Sequence, residues 1–353
     1  MSERLFVVAR RGVSEIPLRI LTEHLQVIEM QLVATGGLSR DHVIVLLTPA
    51  TLERCLEPKD AIRNVLQDAQ QQKMRLIALH SPYFNPSEQA RYAADLLARA
   101  EPLPLEYGRW EESLQALARL LGVSVQLPPL TAEERRQLQA QEAFERALSL
   151  PADDLAGKRA AYDEAIRIYP DFAEAYARRG GLQLAKGDWA ACLADCQTAL
   201  RLKPSLAEAH HNRAMALARQ GNYAESLASY SEALRLDPRN PRAYLNRGVA
   251  KVNLGDLDGA IADYSAAIDL NPNFAEAYFN RSLAHGQRDD LQAAIKDYAQ
   301  ALALNLNAHQ AAAQGDIAAT IAYLQRLLRR FPDHPQAEQV RREIARLRDL
   351  AND

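Results

Sequence analysis

The sequence is poor in cysteine and has no long apolar run, and each shortage excludes a class of protein. Three cysteines among 353 residues, Cys55, Cys192 and Cys196, are too few and too irregularly spaced for a disulfide framework. No apolar run approaches the ~20 residues that a membrane-spanning helix needs. The first residues mix acidic and basic side chains and lack the apolar segment of a signal peptide. We therefore expect a soluble, cytoplasmic protein without a membrane partner.

Net charge is also small, which limits the possible partners. The chain carries 42 Lys+Arg and 45 Asp+Glu, a formal net charge of -3. This balance does not produce the basic surface that nucleic-acid binding needs, so no nucleic-acid partner is predicted. No Gly-x-Gly-x-x-Gly or Walker pattern is present, and Gly36-Gly37 is interpreted as a tight turn. No cofactor is predicted.

What the sequence does contain is an internal repeat of 34 residues. Prolines mark its period, at Pro170, Pro204, Pro238 and Pro272. A small residue recurs at Gly180, Ala214, Gly248 and Ser282, and a core position at Cys196, Tyr230, Tyr264 and Tyr298. Turn residues recur at Gly187-Asp188, Gly221-Asn222, Gly255-Asp256 and Asp289-Asp290. Each unit is therefore predicted to form a helix, a short turn and a second helix that ends at the proline.

These columns resemble the tetratricopeptide repeat family, and "FAEAYFNRS" at Phe274–Ser282 resembles its common bacterial form. The resemblance implies an all-α, right-handed superhelical solenoid with four repeats over residues 171–306. Residues 128–170 are expected to hold a linker and an irregular first hairpin, with helices at 131–148 and 158–168. Residues 307–353 are expected to form a shortened repeat and a C-terminal capping helix.

In that family the first helix of each hairpin lines a concave groove, which implies a protein or extended peptide as partner. The implied peptide-binding residues are Arg178, His211, Asn212, Met215, Arg242, Leu245, Asn246, Phe279 and Asn280. The recurring asparagines can bond a peptide backbone, or they can join neighbouring repeats as a structural ladder. Cys192 and Cys196 are interpreted as core residues and not as metal ligands, because Ala, Ser and Tyr otherwise fill their columns.

The first part of the chain has a different pattern, in which apolar runs alternate with helical stretches. Strands are predicted at residues 5–9, 42–48, 76–80 and, more weakly, 103–107. Helices are predicted at residues 16–30, 59–72, 86–100 and 109–121. This alternation indicates a parallel sheet covered on both faces. Pro128-Pro129 marks its end, and a Thr-x-x-Glu capping box at Thr131 opens the next helix.

The runs "DHVIVLLTPATLERC" at 41–55 and "EPKDAIRNVLQDAQQQKMRLIAL" at 57–79 resemble a Toll/interleukin-1 receptor (TIR) domain. The resemblance implies a flavodoxin-like α/β domain over residues 1–127. Enzymes of that family cleave NAD with a glutamate that would align with Val65, and valine cannot stabilise a developing positive charge. Asp68, one turn further along, is a poor substitute. The segment between Met30 and Asp41 is also shorter than the family's, so no catalytic residue is predicted.

Together these patterns favour a non-enzymatic bacterial adaptor in signalling or defence, with the TIR-like domain as a second interaction surface. Two alternatives stay open at this stage. One is a TIR-type NAD hydrolase regulated by its repeats, and the other is a structural subunit of a larger assembly, with self-association possible in either case.

Overall fold

The computed structural model describes a defined set of residues. They are 5–8, 16–17, 19–26, 42–47, 64, 67, 69, 71, 75–81, 100–121, 126–304, 321–322, 324–325, 328–329, 332 and 337–352. The chain divides into two compact units, Met1–Leu182 with Arg201–Lys203, and Gln183–Leu200 with Pro204–Asp353. No helix among these residues is both long enough and apolar enough to cross a membrane. The predictions at Gly36-Gly37, Cys55, Val65 and Asp68 lie outside the described residues.

The described strands of the first unit form a parallel sheet in the order β1-β2-β3-β4. They are β1 Leu5–Val8, β2 His42–Leu47, β3 Arg75–His80 and β4 Glu101–Pro104. The first three agree with the predicted strands. The fourth begins two residues earlier than predicted, and its two prolines suit an edge strand, where an N–H is not needed on the solvent side.

Both faces of β3 are buried, as a parallel sheet with helices on each side requires. Ile77 and Leu79 pack in one core with Ile20 and Leu114, while Leu76 and Ala78 on the opposite face are each 5% exposed. Residues 19–26 and α1, Trp110–Leu120, are helical, in agreement with two of the predicted helices. Within the predicted helix 59–72, the described residues 64, 67, 69 and 71 are helical. Residues 86–99 of the predicted helix 86–100 lie outside the described residues.

The capping box predicted at Thr131 is present. Thr131 Oγ1 accepts a hydrogen bond from the Glu134 backbone N–H at 3.1 Å, and Glu134 Oε2 accepts one from the Thr131 N–H at 2.7 Å. It opens α2, Ala132–Ser149, which pairs with α3, Leu155–Ile168. The second helix begins three residues before the predicted Lys158, because Asp154 caps it by accepting from the Gly157 N–H at 2.8 Å.

The repeated region folds into hairpins with the predicted period. In the part described, three hairpins are α6 Ala207–Arg219 with α7 Tyr223–Leu236, α8 Pro241–Asn253 with α9 Leu257–Leu270, and α10 Ala275–Gln287 with α11 Leu291–Ala303. The helices before them are α4 Ala173–Ala185 and α5 Trp189–Leu202. The C-terminal helix α12 is Ala337–Asn352. Its Val340 and Leu347 are fully buried in a core that includes Tyr298, as expected of a capping helix. Of the shortened repeat, 307–314 lies outside the described residues.

A residue in the left-handed conformation follows the first helix of each 34-residue unit. Gly187, Gly221 and Gly255 have φ of 78°, 81° and 83°, and Asp289 occupies the same column with φ 62°. The N–H of the following residue donates back to the helix, as from Asp256 to the Lys251 carbonyl at 2.9 Å. This is the Schellman arrangement, which satisfies a carbonyl that the helix end leaves free.

The small and aromatic columns meet where the two helices of a hairpin cross. A Cβ added at Gly248 would lie 2.5 Å from Tyr264 Cε1, so glycine lets the Tyr264 ring approach the first helix more closely than a larger residue would. Cys192 and Cys196 are both fully buried in their predicted core columns, with their sulfurs 3.9 Å apart. Within the described residues no group of three or more His, Cys, Asp or Glu could hold a metal ion.

Candidate functional site

A cavity of about 370 Å³ opens in the second unit, where the first helices of three successive hairpins lie side by side. Its lining comes from α6, α7, α8 and α10, and consists of Met215, Ala218, Arg219, Tyr223, Tyr230, Asn246, Val249, Glu276 and Asn280. Because equivalent positions recur every 34 residues, Asn246 and Asn280 occupy corresponding places on neighbouring helices. The cavity thus brings together three of the residues predicted to bind a peptide, Met215, Asn246 and Asn280.

Polar groups form part of the cavity lining. A side-chain hydrogen bond joins Asn246 and Tyr230, and burial raises the pKa of Tyr230 above its usual value. An amide has two donor hydrogens and a carbonyl oxygen with two lone pairs, so one bond to Tyr230 does not exhaust its capacity. Asn246 can therefore hold a ligand while Tyr230 fixes its orientation.

Apolar and charged side chains complete the lining. Met215, Ala218 and Val249 supply apolar surface, and Val249 is 37% exposed. Arg219 and Glu276 place a cation and a carboxylate in the same lining. A ligand in this cavity could therefore form hydrogen bonds with the asparagines, pack an apolar group against Met215 and Val249, and meet charges of both signs.

The structure corrects the expectation that Leu245 and Phe279 offer apolar contact area in the groove. They are 3% and 2% exposed, and Phe279 packs against Tyr298 with ring centroids 6.0 Å apart. Asn212, expected to bind with the other asparagines, is 8% exposed. Leu245 and Phe279 each directly precede an asparagine that lines the cavity. Because each helical residue is rotated by ~100° from the one before it, their side chains turn towards the second helix of the hairpin.

His211 is half-buried and lies edge-on to Tyr230, with ring centroids 5.6 Å apart. Burial, helped by the nearby positive charge of Arg242, lowers the pKa of His211 to about 4. The imidazole is therefore neutral near pH 7. Arg242 is exposed, and Arg178 is half-buried in the first unit. Ligand binding by these residues stays a prediction.

Ala218, Arg219 and Tyr223 line the cavity but were not predicted to do so. Ala218 and Arg219 follow Met215 by three and four residues, which places them on the same side of α6. Tyr223 opens the second helix just after the Gly221 turn. Helical spacing from Met215 was a usable signal for the first two, whereas Tyr223 depends on how the turn folds back.

Comparison with known families bears directly on these hairpins. A tetratricopeptide repeat model matches residues 211–273 and 250–307, and a second such model matches 310–334. The helical hairpins within residues 211–307 are tetratricopeptide repeats. A model described as a bacterial transcriptional activator domain matches residues 125–240, which cover the earlier hairpins. A search of curated proteins gave no match.

Several solved structures are similar to the tetratricopeptide region. A MamA crystal structure is 19% identical, covers 50% of this chain and 96% of its own, and has a TM-score of 0.40. YrrB, described as a tetratricopeptide protein with an unusual peptide-binding site, is 20% identical over 49% of this chain and 89% of its own, with a TM-score of 0.42. A thermophilic tetratricopeptide protein of Thermus thermophilus is 21% identical over 54% of this chain and 99% of its own, with a TM-score of 0.40.

Proposed function

We propose that this chain is a non-enzymatic adaptor that holds an extended segment of a partner protein in its tetratricopeptide groove. The observation that carries the proposal is the cavity in which Asn246 and Asn280 stand beside Met215 and Val249. Its volume of about 370 Å³ is within the range of ligand pockets, at the small end, which suits one or two side chains of a longer segment.

The lining favours a peptide over a compact metabolite. Amides spaced by one repeat can bond successive parts of an extended backbone, while the apolar surface between them receives a side chain. Arg219 and Glu276 favour a segment that carries an acidic and a basic side chain. The groove would then select peptides by the order of an acidic and a basic side chain on either side of an apolar one.

The α/β part of the first unit is proposed as a second interaction surface, of TIR-like type. Its parallel strands with buried residues on both faces of β3 support the coarser part of that assignment, a sheet covered by helices. The proposal of a non-enzymatic role predicts no nicotinamide release from NAD by the purified chain. Turnover that Asp68→Ala abolishes would overturn that role.

A matched pair of substitutions tests the groove. Ala218 lines the cavity, whereas Ala224 is exposed at the start of α7 and is not part of the lining. Peptides are selected from a random displayed library on the full wild-type chain, and their affinities for Ala218→Arg and Ala224→Arg are measured by fluorescence anisotropy. We expect Ala218→Arg to weaken binding by about tenfold or more, roughly 1.4 kcal/mol, because the new side chain fills the cavity. Ala224→Arg should bind as wild type does.

Two results would contradict this proposal. One is equal affinity of both variants for the selected peptides, which would place binding elsewhere. The other is a library that yields no peptide competing for the groove, which would favour a purely structural role.

A further inference from the structure

A carboxyl group is completely buried where the first helical hairpin meets the sheet. Glu145, on α2, is 0% exposed. Its Oε1 accepts hydrogen bonds from the Tyr107 hydroxyl at 2.6 Å and from Gln141 Nε2 at 2.9 Å. Its Oε2 has no hydrogen-bond partner in the described part of the chain, and the same holds for the buried Ser81 hydroxyl. We call Glu145, Tyr107, Gln141 and Ser81 the Glu145 cluster.

The cluster lies at the carboxyl edge of the parallel sheet. Ser81 directly follows β3, and Tyr107 follows β4 after two residues. Parallel α/β sheets bind their ligands outside this edge. Here α2 packs there instead: Leu138 shares a core with Trp110 and Leu114, and Trp110 stacks on Tyr107 with ring centroids 6.2 Å apart.

The surroundings of Glu145 disfavour its ionised form. Burial raises its pKa to about 7, against the opposing effects of the Tyr107, Gln141 and Ser81 side chains, and Glu142 on the same helix adds a like charge. An ionised carboxylate buried without a cation carries a large desolvation cost.

Several titratable groups on the elements packed against α2 contact partners other than Glu145. From residues 19–26, Arg19 contacts Gln137, and His24 bonds the carbonyls of Ile20 and Pro128. From α3, Glu164 pairs with Arg146 and Asp163 pairs with Arg179. The described residues therefore provide Glu145 with neutral donors and one nearby carboxylate, and with no compensating cation.

We propose that Glu145 couples protonation to the docking of α2 on the carboxyl edge of the sheet, so that docking is firm when the carboxyl is neutral. A proton on Oε2 can be donated to Ser81 Oγ, which would satisfy both unpartnered atoms with one bond. Loss of the proton lets Ser81 donate to the carboxylate instead, but it buries a charge that no cation among the described residues offsets. Exposure of this edge would then increase as the pH rises. This inference is independent of the groove.

The sign and range follow from linkage. A carboxyl that titrates near 4.5 when undocked and about 7 when docked contributes full docking strength below 4.5 and loses it as pH rises to 7. From these two values, the undocking equilibrium constant is expected to increase by several tens of fold, at most on the order of a hundredfold, between pH 5 and pH 8.

Hydrogen exchange of the full chain tests this with three proteins. After correction for the intrinsic pH dependence of exchange, amides of α2 should exchange tens of fold faster at pH 8 than at pH 5 in the wild type. Glu145→Gln, which is neutral at both pH values, should show no such difference. Glu133→Gln, an exposed position of the same helix, should behave as wild type. The same pH dependence in Glu145→Gln and wild type would overturn the proposal.

A second measurement keeps the test decisive if Glu145→Gln does not fold. Carbon-13 labelling of glutamate side chains in the wild-type full chain reports the titration of each carboxyl by NMR. One glutamate should titrate near pH 7. If every glutamate titrates below about pH 5.5, Glu145 is ionised in the docked state and the proposal is wrong.

Discussion

Arg281 and Asp297 form a bidentate ion pair that joins the two helices of one tetratricopeptide repeat. Arg281 Nε lies 2.6 Å from Asp297 Oδ2, and Nη2 lies 2.8 Å from Oδ1. One repeat earlier, Arg247 contacts Asp263 in the same way at 2.8 Å and 2.7 Å. The aspartate side chains are only 7% and 5% exposed. These pairs are therefore part of the hairpin interior and not surface ion pairs.

Removal of one aspartate should destabilise the chain strongly. Asp263 also lies 2.9 Å from Lys251 Nζ, so Asp263→Ala leaves two cations without their carboxylate in a largely buried place. We expect a loss of about 3 kcal/mol, the lower end for breaking a buried pair, seen as a lower urea midpoint by circular dichroism. The control is Glu232→Ala, whose partner Arg235 is exposed, and which should leave the midpoint unchanged. Equal midpoints for both variants would show that Asp263 is not needed.

The arginines of these ion pairs belong to a column that recurs in every repeat. The repeat period also places arginine at Arg179, Arg213, Arg247 and Arg281, but charged residues on amphipathic helices are usually solvated, so the sequence alone predicts no buried ion pair there. The structure shows the guanidinium groups of Arg247 and Arg281 turned towards the second helix, whereas Arg179 contacts Asp163 on the preceding helix α3. At the second repeat the aspartate column holds Ser229, whose hydroxyl donates to the Glu225 carbonyl at 3.1 Å.

The repeats themselves were predictable because local signals recur with the 34-residue period: the proline, a residue suited to the left-handed turn, and a small residue at the crossing. Groove residues were harder to predict. Leu245 and Asn246 are adjacent, yet one is buried and the other lines the cavity. Which of two neighbouring residues is buried depends on the side of the first helix against which the second helix packs. The apolar periodicity of the first helix alone does not determine that side to within one residue. In the first unit the positions of the strands were predictable, because buried parallel strands have continuous apolar runs.

Asp289→Gly should stabilise the last described hairpin. Asp289 has φ 62° at the position where the three preceding hairpins have glycine. A left-handed conformation costs a residue with a Cβ about 1 kcal/mol, partly offset by the greater freedom of glycine in the unfolded chain. We expect a small rise in melting temperature, which differential scanning calorimetry can measure.

The reciprocal substitution serves as the control. Gly255→Ala introduces a Cβ at φ 83° with no atom within 4 Å of it, so any effect comes from the backbone alone. It should lower the melting temperature. A lower melting temperature for Asp289→Gly would show that the aspartate side chain contributes more than its backbone strain costs.

His211 should make the chain sensitive to mild acid. Its pKa falls from 6.5 to about 4 in the folded state, so the unfolded chain binds a proton first as the pH falls. Stability from this residue is full above pH 6.5 and declines towards pH 4, by at most about 3 kcal/mol. His211→Phe should reduce the loss of stability between pH 7 and pH 4.5, measured by urea titrations at each pH. Parallel pH profiles of variant and wild type would contradict the assigned pKa direction.

Phe279→Ala and Asn246→Ala should separate packing from binding. Phe279 is 2% exposed in the core that contains Ile295 and Tyr298, so its truncation should cost about 3 kcal/mol or more of stability. Asn246 lines the cavity, and its loss should weaken binding of a selected peptide by about 1 to 2 kcal/mol. Its stability cost should be smaller, because Asn246 is half-buried at the cavity, and its truncation removes the bond to Tyr230 without opening a void in the hairpin core.

Isothermal titration with a peptide selected on the wild-type chain measures the affinity of each variant, and thermal melts measure its stability. Asn273→Ala is the matched control, since Asn273 is exposed in the turn before α10 and does not line the cavity. If Asn246→Ala lowers the melting temperature as far as Phe279→Ala while the folded fraction keeps full affinity, the asparagine column joins repeats and does not bind ligand. The 34-residue recurrence of asparagine would then reflect contacts between repeats, and the partner would bind a surface of this chain that excludes the asparagine column.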